Sequence, residues 1–490
     1  MSLLMVRFLQ SAPSPGFARP PEGVQENLGA ARRFLERAVG VVCLLAAAGC
    51  ASLPDTDDLI SRHAGQTARF ESARGPLSER RNAAIVAQLK RSAGDLDILD
   101  KQIALEQEIV GSPLVIGNKV TLLRDGAQTY PAMVAAIRAA TDHVNMETYI
   151  LEDDVVGRQF ADLLLEKQAQ GVQVNVMYDS VGGISTPRSF FERLRAGGIQ
   201  VLEFNPVNPF TALAPWKINH RDHRKLLVVD GKTGFIGGIN ISSVYSSGSI
   251  ASRSDSAGDN QTAWRDTDIQ IEGPVVAELQ KLFVQTWEKQ SGKPLSPRAY
   301  FPELQAQGGE IVRAIGSTPE DPYSLMYLTL VSAIGNAEKQ IYVTNAYFVP
   351  DPQLLKSLGD AATRGVDVRL ILPGRSDSSL VYYASRSYYS ELLAAGVKLY
   401  ERLGAVLHAK TAVIDGVWST VGSTNMDSRS FLDNNEINAV ILGREFGQKM
   451  QAMFASDLEA SQPIARDTWE QRPPQLKLKE WMARLWGRLL

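Results

Sequence analysis

The sequence predicts an α/β protein made of two homologous α-β-α sandwich halves, packed as a pseudo-dimer with one active site at their interface. Three observations predict it. A His-x-Lys-x-x-x-x-Asp-Gly string occurs in each half: His223-Arg-Lys225-Leu-Leu-Val-Val-Asp230-Gly231 and His408-Ala-Lys410-Thr-Ala-Val-Ile-Asp415-Gly416. Each string is followed at the same offsets by a matching tail, Gly237-Gly238-Ile-Asn240 and Gly422-Ser423-Thr-Asn425. The flanking segments also repeat, alternating strands with helices. With five His in the chain, and Lys and Asp each about one residue in twenty, a single such string has roughly one chance in eighty. Two with matching tails mark a duplication.

In chain order, residues 1–49 read as a signal or targeting segment. Arg32, Arg33 and Arg37 precede Ala38 to Gly49, an apolar run too short for an ordinary membrane span. It ends Leu44-Leu-Ala-Ala-Ala-Gly49-Cys50-Ala-Ser, similar to a bacterial lipoprotein cleavage box. Lipidation of Cys50 is expected to anchor the mature chain at the periplasmic face of the cell envelope, with the outer membrane open. Residues 50–115 read as a helical leader.

The first half, residues 116–305, carries Val144-Asn-Met-Glu-Thr-Tyr149-Ile150, Gly171-Val-Gln-Val-Asn-Val and Gly198-Ile-Gln-Val ahead of its His-Lys strand. The second, residues 306–466, carries Ile341-Tyr-Val-Thr-Asn-Ala-Tyr347-Phe348, Gly365-Val-Asp-Val-Arg-Leu and Gly396-Val-Lys-Leu. Alternation of this kind implies a largely parallel sheet with helices on both faces. Joining the halves edge to edge about a pseudo-twofold brings the His-Lys strands together. Leu226 to Val229 and Thr411 to Ile414 read as buried strands ended by Asp-Gly turns, and each has a hairpin partner that returns Asn240 or Asn425 to the same end.

On a strand, His and Lys two apart face the same side, while Asp seven residues on has opposite parity. Asp230 and Asp415 therefore belong to the catalytic motif as supports at the strand-to-turn junction, not as phosphate contacts. A doubled set of His, Lys and Asn suits phosphodiester chemistry without a metal. Imidazole can attack when neutral and donate a proton when charged. Ammonium and amide groups can hold phosphoryl oxygens. No Cys/His cluster has metal-ligand spacing.

At these residues the chain resembles the phospholipase D superfamily, and within it the bacterial cardiolipin synthases. Asn219-His-Arg-Asp-His223-Arg-Lys225, Ala346-Tyr-Phe-Val-Pro350 and Pro373-Gly-Arg-Ser-Asp377 carry the narrower likeness. The resemblance implies a phosphohistidine intermediate and no cofactor, with phosphatidylglycerol or a similar phospholipid as substrate. By analogy His223 is the nucleophile and His408 the general acid, although the reverse order fits the motif equally. Lys225, Lys410, Asn240, Asn425 and Ser423 would hold phosphate oxygens, with fewer bonds from the first half, where Gly238 replaces Ser. Each His needs an orienting carboxylate. Glu436 is the match in the second half. Asp268 and Asp266 both fit in the first, with Asp268 preferred by its offset from the apolar strand that follows.

Basic and acidic residues number 51 and 54, a net charge of −3 with no whole-chain attraction to nucleic acid. That argues against a nuclease, one alternative alongside a phospholipase D hydrolase and a non-catalytic lipid-binding lipoprotein. Two insertions, Asn205 to Trp216 and Ser242 to Ala263, read as loops beside the site. Tyr149 and Tyr347 hold matching strand ends, bordering the pocket or packing in the core. Tyr382, Tyr383, Tyr388 and Tyr389 offer a lipid-facing rim or a partly exposed helix face. His220, His143 and His63 are read as structural or unassigned. Residues 467–490 form an amphipathic tail whose Leu478, Trp481, Met482, Leu485 and Leu489 share a stripe among Lys477, Lys479, Arg484 and Arg488. Such a helix lies on a membrane surface or docks on the protein's own core.

Overall fold

The computed structural model describes residues 68–94, 96, 98–99, 102–103, 111–208, 219–246, 263–322 and 324–488. The signal segment with Cys50, residues 209–218 of the first insertion and 247–262 of the second lie outside the described residues.

The first half contributes β1 (Leu114–Arg124), β2 (His143–Thr148), β3 (Gln173–Asp179), β4 (Gln200–Phe204), β5 (Leu226–Val229), β6 (Thr233–Gly237) and β7 (Thr267–Glu272). They lie in the order β4-β3-β2-β5-β6-β7-β1. The second half contributes β8 (Glu310–Ser317), β9 (Gln340–Asn345), β10 (Asp367–Pro373), β11 (Lys398–Arg402), β12 (Lys410–Ile414), β13 (Trp418–Gly422) and β14 (Asn434–Leu442). Their order repeats the first, β11-β10-β9-β12-β13-β14-β8. Antiparallel pairing of β1 with β8, Asn118 opposite Glu310 and Val115 opposite Val312, joins the sheets edge to edge.

The expectation of a largely parallel sheet needs correction, because only the three outer strands of each half run parallel. The inner four are antiparallel; the Asp-Gly turns, too short to cross over, impose this on the β5–β6 and β12–β13 pairs. Asp230 and Gly231 have φ of 51° and 62°, and Asp415 and Gly416 have 52° and 67°. Short polar Asp and unbranched Gly tolerate this left-handed region best.

The Asp side chains fasten these turns. Asp230 accepts the N–H groups of Thr141 at 2.8 Å and of Asp142 and His143 at 2.9 Å. Asp415 accepts those of Glu338, Lys339 and Gln340 at 2.7–2.9 Å. Seven residues of strand place each Asp roughly 20 Å from its His. Both therefore leave the catalytic set and remain as anchors of the hairpin to the strand beside it.

Three large cores, and a small one of Ile371, Leu407, Ala409 and Phe454, fill the layers. One covers the outer face of the first sheet with Phe160, Leu164, Phe190 and Leu194. A second lies behind both sheets, where helices α1 (Val276–Ser291) and α2 (Arg444–Glu459) bring Phe283, Trp287, Phe446 and Met450 against strands of both halves. The third belongs to the second half and also takes in Phe70, Leu89 and Ile98 of the leader. The leader is thus not only helical: Phe70–Ser72 adds a short strand beside β1, and Glu79–Ala93 forms the helix.

Candidate active site

Two short parallel pairings across the seam build the site. Arg221–Asp222 runs beside Asn434–Asn435, and Trp264–Arg265 runs beside Val406–Leu407. The His223 N–H donates to the Asn435 carbonyl at 3.0 Å, and the His408 N–H to the Arg265 carbonyl at 2.8 Å. Each imidazole then meets the carboxylate that follows the paired strand. His223 Nδ1 lies 3.0 Å from Glu436 Oε1, and His408 Nδ1 lies 2.7 Å from Asp266 Oδ2. Each half thus supplies the carboxylate that holds the other half's histidine. With Nδ1 engaged, Nε2 is left for chemistry.

The lysines close in from the same strands. Lys225 Nζ donates to the His223 carbonyl at 2.6 Å and lies 5.2 Å from the Tyr149 ring centroid. Lys410 Nζ donates to the His408 carbonyl and sits 2.9 Å from that imidazole's Nδ1. All four groups are buried. Burial, with Lys410 adding to it, pushes Lys225 down to about 7, and burial pushes Lys410 down to about 8. Burial first, then Lys225, Lys410 and His408, hold His223 well below the ordinary imidazole range. His408 is lowered by burial and Lys410, against the opposing pull of Asp266. Burial raises Glu436 to about 7. Cations crowded and desolvated in this way gain stability from an anion placed among them.

The register corrects the preference for Asp268. Gly237 pairs with Asp268 and Gly422 with Asn438, so Asp266 is the true counterpart of Glu436. Asp268 Oδ1 instead accepts the Ile239 N–H at 3.1 Å, and burial followed by Asp266 raises its carboxyl well above the usual range. Ser423 is likewise moved from the phosphate to the support: its hydroxyl donates to Glu436 and accepts the Ile437 N–H at 3.0 Å. Gly238 is glycine for a steric reason, since a Cβ there would come 2.1 Å from Asp266 Oδ1.

The two asparagines differ. Asn240 is committed, with Oδ1 accepting the Ile150 N–H at 3.0 Å and Nδ2 donating to the Tyr245 hydroxyl at 3.1 Å. One Nδ2 hydrogen of Asn240 remains for the expected phosphate contact. Asn425 keeps a buried Oδ1 without a partner among the described residues.

Tyr245 escaped the sequence reading. It is buried at the start of the second insertion, its hydroxyl 3.4 Å from His408 Nδ1. The Trp264 ring stands 5.2 Å from the same imidazole. Tyr149 and Tyr347 lie at the pocket, 5.2 Å from the His223 ring and 6.1 Å from the His408 ring respectively. His220 bonds Asn435 Oδ1 at 2.8 Å, and His143 packs between Asp142 and Gln280, so neither joins the central pair. Of the four rim tyrosines, Tyr388 and Tyr389 are buried, while Tyr382 and Tyr383 are half-exposed.

Residues 133–250 and 330–458, one segment in each half, match a family described as cardiolipin synthase, PLD-like domain. The chain is 36% identical over 395 residues to a cardiolipin synthase of Geobacillus sp. (strain WCH70), covering 79% of this chain and 76% of that one. It is 37% identical over 360 residues to cardiolipin synthase A of Pseudomonas entomophila (strain L48), covering 73% and 72%. Among solved structures, the phosphatidylserine synthase of Haemophilus influenzae Rd KW20 superposes with a TM-score of 0.57 at 13% identity, over 79% of this chain and 98% of that one. That last likeness is one of fold.

Proposed function

The chain belongs to the cardiolipin synthase, PLD-like domain family, and from that membership we propose that it is a phosphatidyltransferase that makes cardiolipin from phosphatidylglycerol. The observation that carries the reading is the pair of imidazoles held by exchanged carboxylates at one seam, each with the lysine of its own motif beside it.

Neutral His223 attacks the phosphorus of one phosphatidylglycerol through Nε2. The bond from phosphorus to the headgroup glycerol oxygen breaks, and His408 gives its Nε2 proton to that oxygen. The phosphatidyl group rests on His223 as a phosphohistidine. A second phosphatidylglycerol then offers its primary hydroxyl, His408 takes the proton, and the oxygen attacks as the P–N bond breaks. Lys225 and Lys410, with Asn425, stabilise charge on the non-bridging oxygens. The roles follow the order of the two motifs; burial lowers both imidazoles, and Asp266 pulls His408 back toward its charged form.

The substrates place the enzyme at a membrane surface, and the tail offers the contact. Helix Pro474–Arg484 buries Glu480 and Ala483 against the body, with Glu480 paired to Arg472 at 2.7 Å. Its other side leaves Leu478, Trp481, Met482, Leu485 and Trp486 at least half exposed. Own-core docking and membrane contact are therefore compatible, one on each side of the helix. No helix among the described residues is long and apolar enough to cross a membrane. Lipidation at Cys50, at the periplasmic face of the envelope, supplies a second anchor; mass spectrometry of the N-terminal peptide tests it.

Purified chain with phosphatidylglycerol in detergent is expected to yield cardiolipin and free glycerol. Phosphatidic acid alone would identify a hydrolase, and cleavage of single-stranded DNA a nuclease.

A further inference from the structure

Arg429 stands where the seam meets solvent. It lies in the short helix Ser428–Leu432, four residues past Asn425. Its carbonyl accepts the N–H of Asp433, whose own carbonyl accepts the N–H of Arg221, the first residue of the strand that leads into His223. The Arg429 side chain is exposed, with no hydrogen bond or ion pair to another side chain among the described residues. Its charge bears on the carboxylates of Asp433 and Asp427, and also on His223 and the Tyr149 hydroxyl beside it. The guanidinium is thus open to water, yet within electrostatic reach of the nucleophile.

The repeat is unequal at this position. Aligning Asn240 with Asn425 puts Val244 in the first half where Arg429 stands in the second. A cation on one side only suits a substrate that brings one anion to the seam and a second just outside it. The inner anion already has Lys225 and Lys410. An exposed arginine whose fork makes no direct bond to those carboxylates among the described residues keeps five planar donors, shaped for another phosphate.

We infer that Arg429 binds a second phosphodiester, that of the acceptor lipid, while the first phosphorus sits between the imidazoles. The inference rests on the transferase reading and sharpens it. An acceptor phosphatidylglycerol carries its own phosphate one glycerol length from the attacking hydroxyl. Water and free glycerol carry none. Arg429 therefore raises the share of the phosphohistidine captured by a lipid alcohol.

The test uses the purified full chain with phosphatidylglycerol in detergent micelles and labelled free glycerol. Cardiolipin reports transfer to the phosphate-bearing acceptor, and label entering phosphatidylglycerol reports transfer to glycerol. Arg429→Gln is expected to lower the ratio of the first product to the second about tenfold, the worth of a hydrogen bond to a charged group, with Arg429→Lys recovering part of it. Glycerophosphoglycerol, which carries the phosphate without acyl chains, should show the same loss as an acceptor. An unchanged ratio overturns the inference. A loss with lipid but none with glycerophosphoglycerol also overturns it, in favour of attraction to the micelle surface. Should Arg429→Gln fail to fold, the ratio measured on Arg429→Lys decides. Wild-type protein that exchanges glycerol but makes no cardiolipin would sink the transferase reading itself, a separate outcome.

Discussion

The two halves share a topology and differ beneath their histidines. Around His223 the first half buries Glu147, Asp222 and Arg224, with Arg224 Nη1 3.7 Å from Glu147 Oε1. Matching the repeats puts Thr344, Leu407 and Ala409 in those places in the second half. The orienting carboxylates differ as well. Glu436 receives Ser423 and Asn434, whereas Asp266 receives the Thr267 N–H and shares His408 with Tyr245. A duplicated unit kept its reacting groups and changed what surrounds them. Identical surroundings would give two imidazoles of equal proton affinity, but a two-step displacement needs one neutral and one charged.

The largest test of that asymmetry is His223→Ala, expected to cost at least about 10⁴-fold in kcat, as loss of a covalent nucleophile does. His408→Ala should cost about 10²–10⁴-fold and recover much of it with a p-nitrophenyl phosphodiester, whose leaving group needs no proton. Phosphate trapped on His223 in the His408 variant fixes the order of roles, and phosphate on His408 in the His223 variant reverses it. Next come the exchanged supports. Glu436→Gln and Asp266→Asn are each expected to lower kcat about 10–100-fold. Asp268→Asn, which gives the first half the residue Asn438 holds in the second, should change it little; a loss equal to that of Asp266→Asn would restore Asp268 as the partner of His408.

A pH profile gives a smaller but signed effect. Lys225 and Lys410 are lowered to about 7 and about 8, so they are charged below those values and lose charge as pH rises through them. The alkaline limb of kcat/KM should fall there. Bound phosphate favours the charged lysines, so the limb in kcat should lie at higher pH. Coincident limbs would mean that the lysines do not hold the phosphate. The smallest effect concerns the exposed side of the tail helix that follows the second half. Trp481→Ala with Leu485→Ala should weaken sedimentation with anionic vesicles roughly tenfold, lowering activity on vesicles more than on micelles.

Much of this was legible because the informative units are short and repeated. The hairpins, their Asp-Gly turns and the far placement of Asp230 and Asp415 follow from alternation and turn chemistry within about a dozen residues. Asp266 and Asp268 share parity, so alternation could not separate them, and only strand pairing set the register. A residue-by-residue match of Arg265-Asp266-Thr267-Asp268 to Asn435-Glu436-Ile437-Asn438 would have found it. The exchange of carboxylates is a contact over long sequence distances and leaves no local trace. Tyr245 was hidden because its counterpart is Ser430, so comparing the repeats pointed away from it. Ser423 looked like a phosphate ligand because a hydroxyl beside a motif says nothing of which oxygen it will face.

An imidazole oriented by the other copy's carboxylate has no working form alone. As separate chains, such copies would lose their shared centre on dilution; on one chain their encounter is intramolecular and independent of protein concentration. Tethering also lifts the requirement that both faces of a twofold contact be identical. Gly238 and Ser423, one yielding space to a short acid and the other bracing a long one, are the residue-scale mark of that freedom.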